Sequence, residues 1–168
     1  DDFIEDALAN ECGVGNIVWS VVFAVNTENG EGPKTIEDFF DTEKFPGKRG
    51  LRKRPQGNME WALLADGVAP EEVYEVLATE EGQAQAFAKL DTIKDDVIWW
   101  SAGADTPQLL ADGEVVMGST YNGRLFSVIE EQDQPVAMLW DAQVFDLDGW
   151  IIPAGLPDDR LARVKAFV

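Results

Sequence analysis

Residues 17–25 read Ile17-Val18-Trp19-Ser20-Val21-Val22-Phe23-Ala24-Val25, apolar at every position but one and rich in β-branched and aromatic side chains. A strand with one wet face alternates polar and apolar residues, so this unbroken run predicts a strand covered on both faces, as in an α/β sheet. It is far shorter than the ~20 apolar residues a membrane span needs. Short apolar runs recur at 97–100, 114–119, 135–140 and 143–152. Helical patterns lie between and around them: residues 58–65 closed by Gly67, 70–78 begun by Pro70, 80–94, 122 to about 131, and 157–168. Phe3, Ile4, Ala7 and Leu8 recur at helical spacing near the start, and Thr35-Ile36-Glu37-Asp38 has the form of a capping box with Phe39 and Phe40 inward. Helices alternating with short apolar strands predict an α/β fold, a three-layer sandwich built on a mixed sheet.

Composition narrows the chemistry. The 168 residues carry 13 Lys and Arg against 32 Asp and Glu, a net charge of −19, with no histidine and a single cysteine, Cys12. Without histidine there is no Ser-His-Asp or Cys-His nucleophile and no His-ligated zinc. One cysteine allows no internal disulfide, no redox pair and no Cys₄ zinc site. A hydrophobic fraction of 45% supports one packed core and excludes a disordered acidic tail. The negative charge argues against nucleic acid and against an anionic membrane surface as partners. Gly13-Val14-Gly15 lacks the third glycine and the preceding strand of a dinucleotide fingerprint. No cofactor is expected. The chain opens on Asp1-Asp2 and stops inside an amphipathic run, so it reads as a segment of a longer protein.

Three stretches carry candidate chemistry. In Val144-Phe145-Asp146-Leu147-Asp148-Gly149-Trp150, strand periodicity aligns Asp146, Asp148 and Trp150 on one face, with Phe145 and Leu147 opposite. Two like charges on one face need a cation or hydrogen-bond donor against them. A ligand amine, a protein Lys or Arg, and a solvated strand end all meet that need, and by spacing alone the pair also suits glycoside hydrolysis. Tyr121 and Asn122 follow an apolar strand and precede a helix, the strand-end position where open α/β sheets bind ligands. Tyr121 there either stacks on a ligand or caps the core edge with its hydroxyl in water. Trp19, Trp61, Trp99, Trp100 and Trp140 read as core. Lys44, Lys48, Arg49, Arg52, Lys53 and Arg54 place six of the 13 basic residues between positions 44 and 54. That run reads either as a solvated loop and a charge-protected edge strand, or as a segment whose end, Arg54-Pro55-Gln56-Gly57, faces a ligand.

Taken in order, these pieces resemble the second lobe of the periplasmic solute-binding proteins of ABC importers, in the spermidine/putrescine-binding branch. Residues 15–26 resemble the first crossing strand between lobes. Thr35-Ile36-Glu37-Asp38-Phe39-Phe40 and Phe45-Pro46-Gly47-Lys48-Arg49-Gly50 resemble the segment that opens the second lobe. Residues 107–117 and Tyr121-Asn122-Gly123-Arg124 resemble the Leu-x-x-Gly-Glu-Val strand and its aromatic-x-Gly turn. Phe145-Asp146-Leu147-Asp148 before Ile151-Ile152-Pro153 resembles the second crossing. The resemblance implies a two-lobed type II periplasmic-binding-protein fold with the ligand in the cleft between lobes. It divides the chain into a hinge-proximal remnant of the first lobe (1–16), the second lobe with both crossing strands (17–152) and the start of the return helix (153–168). It implies that Tyr121 stacks on ligand methylenes and that Asp148 pairs with an amine. Asp146 stands where the family has a tryptophan, and Arg54 and Gln56 stand where polyamine binders carry acidic residues. Arginine suits a carboxylate, so the departure points to a ligand with both a cationic and an anionic or polar group. Asn122 and Ser101, at the two strand ends, complete the candidate set.

The expectation is therefore a periplasmic binding module, not an enzyme, that captures a small amine-containing solute, polyamine or zwitterionic and opine-like, and delivers it to an ABC permease in the membrane. The alternative is the ligand-sensing domain of a LysR-type transcription regulator, which shares the two-lobed architecture.

Overall fold

The computed structural model describes residues 13–30 and 32–167. The early helical pattern at Phe3 to Leu8 and Cys12 lie outside the described residues. Residues 20–144 form one compact unit, and residues 1–19 with 145–168 form another. Both boundaries fall inside strands, so β1 (Gly13–Asn26) and β5 (Val136–Ile151) each run from one unit into the other.

The larger unit alternates helix and strand as expected. After β1 come α1 (Ile36–Phe40), β2 (Arg49–Arg52), α2 (Asn58–Ala65), α3 (Val73–Leu77), α4 (Glu80–Asp91), β3 (Val97–Trp100), α5 (Asp105–Ala111), β4 (Met117–Tyr121) and α6 (Asn122–Phe126), which continues as a wider π turn to Glu131. The smaller unit ends in α7 (Asp158–Phe167). The sheet order is β3-β2-β4-β1-β5, with β2 parallel to both its neighbours and β1 antiparallel to β4, so the sheet is mixed. No helix among the described residues is long and apolar enough to cross a membrane.

Within the larger unit β1 is covered on both faces. Phe23 meets Phe39 of α1 and Trp61 of α2 edge-on, with ring centroids 5.8 and 5.9 Å away. Its neighbours Val22 and Ala24 point the other way, into a cluster with Leu110, Leu125 and Val128 from α5, α6 and the π turn. This half of the run is unbroken because each face has its own helical layer. The other half differs from expectation: Ile17 and Val18 are 53% and 50% exposed. The helices that cover residues 21–25 belong to residues 20–144, and strand residues 13–19 do not.

Other corrections have local causes. β2 is not an edge strand, since β3 and β4 flank it. Four of the six basic residues, Lys44, Lys48, Lys53 and Arg54, are exposed as the solvated-loop reading expects, whereas Arg52 is half-buried and Arg49 wholly buried. β4 begins at Met117 rather than Glu114, because the N–H groups of Glu114 and Val115 close α5 onto the Leu109 carbonyl (2.9 and 3.2 Å) and that of Val116 bonds the Lys48 carbonyl (2.9 Å). Residues 135–140 and 143–152 belong to one strand that passes through Ala142 at φ 53°. The Ala142 carbonyl accepts the indole N–H of buried Trp61 at 2.8 Å, which holds the bend in place.

Two polar devices fix the start of the unit. Thr35 Oγ1 accepts the Asp38 N–H and Asp38 Oδ2 accepts the Thr35 N–H, both at 3.4 Å, the reciprocal capping box expected from the residues. The ammonium of Lys44 donates to Asp38 Oδ1 at 2.8 Å, and this bond, with the Lys34 N–H on the other oxygen, holds the Asp38 carboxyl below its ordinary range. Arg49 is the second device. Its guanidinium donates to the carbonyls of Phe39 (3.2 Å), Asp41 (3.0 Å), Phe45 (2.6 Å) and Gly47, tying the α1–β2 connection to the strand. Burial pushes its pKa down from the ordinary value, and the charges of Asp96 and Asp41 oppose that shift. A lysine has one nitrogen and cannot reach four carbonyls set around a planar fork. Arg49→Lys is expected to lower unfolding stability by about 2 kcal/mol or more in urea titration, from buried carbonyls left without donors. A loss below about 0.5 kcal/mol, the scale of an ordinary surface substitution, would show that the network is not needed.

Candidate functional site

The carboxyl ends of the three parallel strands β2, β3 and β4 lie on one edge of the sheet, the edge at which open α/β sheets bind ligands. Each contributes its last residue. Arg52 of β2 is in register with Trp100 of β3, and Tyr121 ends β4. The Tyr121 and Trp100 rings meet edge-to-face at 6.3 Å. The guanidinium carbon of Arg52 lies 5.4 Å from the Tyr121 ring centroid and 5.8 Å from that of Trp100, within cation–π range of both. Trp100 is 3% exposed and Arg52 half-buried. The Arg52 Nε–H and the Trp100 indole N–H are both buried without a hydrogen-bond acceptor. The cluster therefore presents a cation and aromatic surface, with donors in surplus over acceptors.

Small residues let this cluster form. A Cβ on Gly103 would lie 3.2 Å from the Tyr121 ring, so the loop before α5 approaches the ring closely because position 103 is glycine. Gly50 and Gly118 are paired between β2 and β4, and a Cβ on Gly118 would come within 2.7 Å of the Thr106 methyl on α5. That glycine pair seats α5 directly on the sheet. On the other side, the Asn58 amide donates to the carbonyls of Arg52 (2.7 Å) and Arg54 (2.8 Å), and the Lys53 N–H extends the ladder to the Trp100 carbonyl (2.8 Å).

The expected site residues fall in both units. In the larger unit Tyr121 is central. Asn122 is next to it, but its Oδ1 accepts the Ser20 N–H at 3.1 Å, a bond that ties α6 to β1. Ser101 is exposed in the turn before α5 and donates its N–H to Asp105 (3.3 Å). Arg54 and Gln56 are exposed in the loop before α2, and among the described residues no hydrogen bond, ion pair or ring contact joins either side chain to Tyr121 or Trp100. In the smaller unit Asp146 and Asp148 are exposed. Asp148 accepts the Trp19 indole N–H at 3.1 Å, and Asp146 accepts the Leu147 N–H at 2.8 Å. Among the described residues neither forms an ion pair with Lys or Arg. The opposite face of this stretch is not a closed core: Phe145 is 59% exposed.

Arg52 and Trp100 belong to the strand-end cluster but not to the residues expected there, because Arg52 lies within the basic run and Trp100 reads as core, as its burial bears out. The strand-end rule already applied to Tyr121 finds both when extended to β2 and β3. Of the five tryptophans expected in the core, Trp61 and Trp100 are buried, Trp19 is partly buried, and Trp99 and Trp140 are half-exposed. Trp99 faces the opposite way from Trp100 across the pleat, and Trp140 sits on the edge strand β5. Beside Trp99, a groove of about 570 Å³ runs between β3 and α5. Its carboxylates are partly engaged, Asp105 with the Ser101 and Ala102 N–H groups and Asp112 with Gln108.

Comparison with known proteins places this geometry in context. The family of bacterial extracellular solute-binding proteins matches residues 2–168. A gamma-aminobutyric acid-binding protein of Pseudomonas aeruginosa is 46% identical over 155 residues, 92% of this chain and 44% of the relative. Among solved structures, the PBP MotA from A. tumefaciens B6 in complex with glucopine is 38% identical with a TM-score of 0.84, covering 96% of this chain and 50% of that one. The Atu4243-GABA receptor is 37% identical with a TM-score of 0.82, covering 95% and 48%. The spermidine/putrescine-binding protein PotD from Streptococcus pneumoniae, at 13% identity and a TM-score of 0.71, shares the fold. The chain spans about half the length of these relatives.

The seat of α5 can be tested by coupling. Gly118→Ala is expected to cost about 1–3 kcal/mol by driving the new methyl into Thr106. Thr106→Ser removes the clashing methyl and is expected to restore at least about half of that loss in thermal unfolding. Strictly additive effects would mean that α5 does not rest on Gly118.

Proposed function

The chain belongs to the bacterial extracellular solute-binding protein family, and on that premise we propose that it forms the second lobe and both crossing strands of the substrate-binding component of an ABC importer. The solute we propose is small and carries an amino group together with a carboxylate, of the γ-amino-acid or opine kind. One observation carries the choice. The strand-end cluster of the larger unit is built on an arginine between two aromatic rings, with unpartnered donors and no carboxylate on Arg52 among the described residues. A polyamine offers only ammonium groups, which Arg52 repels, whereas a carboxylate meets a planar fork of donors. The relatives named for gamma-aminobutyric acid and glucopine agree with that choice, and the likeness to the spermidine/putrescine protein supports the fold alone.

Membership of this family sets aside the transcription-regulator reading and the reading of Asp146 and Asp148 as a glycosidase pair, because its members are solute-binding proteins. In the proposal, Tyr121 supplies an aromatic wall for the ligand's methylenes, and Asp148, oriented by Trp19, is the acceptor for the amine. Asn122, Ser101, Asp146, Arg54 and Gln56 remain candidates of second rank, Arg54 and Gln56 as contributors of charge and polarity at the rim. The assembled protein works in the periplasm and hands its solute to a membrane permease.

The test is a binding panel on the full-length two-lobed protein by calorimetry. Gamma-aminobutyric acid or glucopine is expected to bind at least tenfold more tightly than putrescine or spermidine, a difference of about 1.4 kcal/mol. Tighter binding of either polyamine would overturn the choice of solute. The 168-residue chain alone is expected to bind the same ligand roughly 100-fold more weakly, because closure of two lobes supplies much of the desolvation. Equal affinity of the two would refute the two-lobed capture mechanism.

A further inference from the structure

From the pairing of its outer strand we infer that the open side of β3, together with the groove between β3 and α5, is a docking surface for an extended basic segment of another protein, which joins the sheet as a further strand.

β3 is the outermost strand on one side of the sheet, with β2 as its neighbour. The Trp100 carbonyl accepts the Lys53 N–H at 2.8 Å, so the backbone groups of Trp100 turn toward β2. Alternation along the strand turns those of Trp99 to the open side, and among the described residues no backbone hydrogen bond meets them there. Open backbone groups on a sheet edge are a template for pairing, which folded proteins guard with charge, proline, a bulge or a covering segment. The sequence of β3, Val97-Ile98-Trp99-Trp100, holds no charge and no proline. Its Trp99 is 46% exposed.

The groove defines what an added strand must carry. Every second side chain of such a strand stands on the same face of the sheet as Ile98. That is the α5 face, because Ile98 and Leu109 pack on the cluster that contains Leu110. There Asp105, Asp112 and Glu114 line the groove, and no Lys or Arg does. Asp105 and Asp112 accept hydrogen bonds from neutral donors only, and among the described residues Glu114 has no hydrogen bond or ion pair. The lysines nearest in sequence and in register, Lys94 and Lys48, are tied to Asp91 and Asp96 at 3.3 and 3.1 Å. The groove therefore calls for Lys or Arg at alternate positions of the incoming segment. The side chains between them stand on the Trp99 side, where the indole suits a β-branched neighbour. A second copy of this chain does not fit, since it brings the same carboxylates and a net charge of −19.

The probe is a dye-labelled peptide, Lys-Val-Lys-Val-Lys, read by fluorescence anisotropy against the full-length protein. Glu-Val-Glu-Val-Glu reverses its charge, and the lysine peptide N-methylated at every backbone nitrogen keeps the charge and removes the donors. The lysine peptide is expected to bind with a Kd below about 1 mM, and each control at least about tenfold more weakly. Glu114→Gln and Trp99→Ala, with folding checked by thermal unfolding, are each expected to weaken it at least about threefold, whereas Glu75→Gln on α3 changes it less than about twofold. No binding of the lysine peptide at about 1 mM overturns the proposal, as does wild-type affinity in both Glu114→Gln and Trp99→Ala. Equal binding of the N-methylated peptide would reduce the effect to charge attraction and overturn the strand pairing. Lysine amide binding as tightly as the peptide would make the groove a small-cation site instead. A dimer in sedimentation that Trp99→Ala dissolves would give the surface to a second copy, and either of these last two results overturns the assignment to a basic segment.

Discussion

Five consecutive apolar residues, 21–25 of β1, are sealed between two helical layers, and the larger unit is organised around that seal. Phe23 commits one face to α1 and α2 through aromatic edge contacts, and Val22 and Ala24 commit the other to α5 and α6. With both faces spoken for, β1 pairs with β4 on one side and β5 on the other. Pairing with β4 places its end, and hence Tyr121, beside the ends of β2 and β3. The strand-end cluster is therefore a by-product of how one hydrophobic strand is buried.

The two arginines of β2 show how the same side chain serves two ends. Folding consumes the donors of Arg49, whose carbonyl partners come from the turns it stitches together. Arg52 faces rings instead, and rings take no hydrogen bonds in the plane of the guanidinium. Three residues of separation along one strand divide a charge spent on backbone carbonyls from one packed against two rings.

Much of this was readable before any coordinates. The capping box at Thr35, the helix from Asn58 to Ala65 and the strand from Val97 to Trp100 follow from local signals that tertiary structure did not override. Tyr121 at a strand end followed from the same kind of signal. What escaped depended on neighbours far away in sequence. The basic run looked like edge protection because its composition says nothing of β3 and β4 on either side of β2. Exposure of Ile17 and Val18 is likewise invisible in a run where every residue is apolar, since layer boundaries are set by other segments. The cation between two rings could be assembled only from three strands, at positions 52, 100 and 121.

The bend at Ala142 bears on how β5 is kept in alignment along its 16 residues. A strand this long has many near-equivalent ways to lie against its neighbour, and a slip of one residue turns every side chain to the other face. The left-handed backbone at position 142 singles out one alignment, because displacement by two would bring Trp140 or the β-branched Val144 into a conformation that suits neither. The Trp61 indole then clamps that position from the core. The bend thus acts as an index mark: it fixes which residues β5 delivers into the neighbouring unit, Asp146 and Asp148 among them.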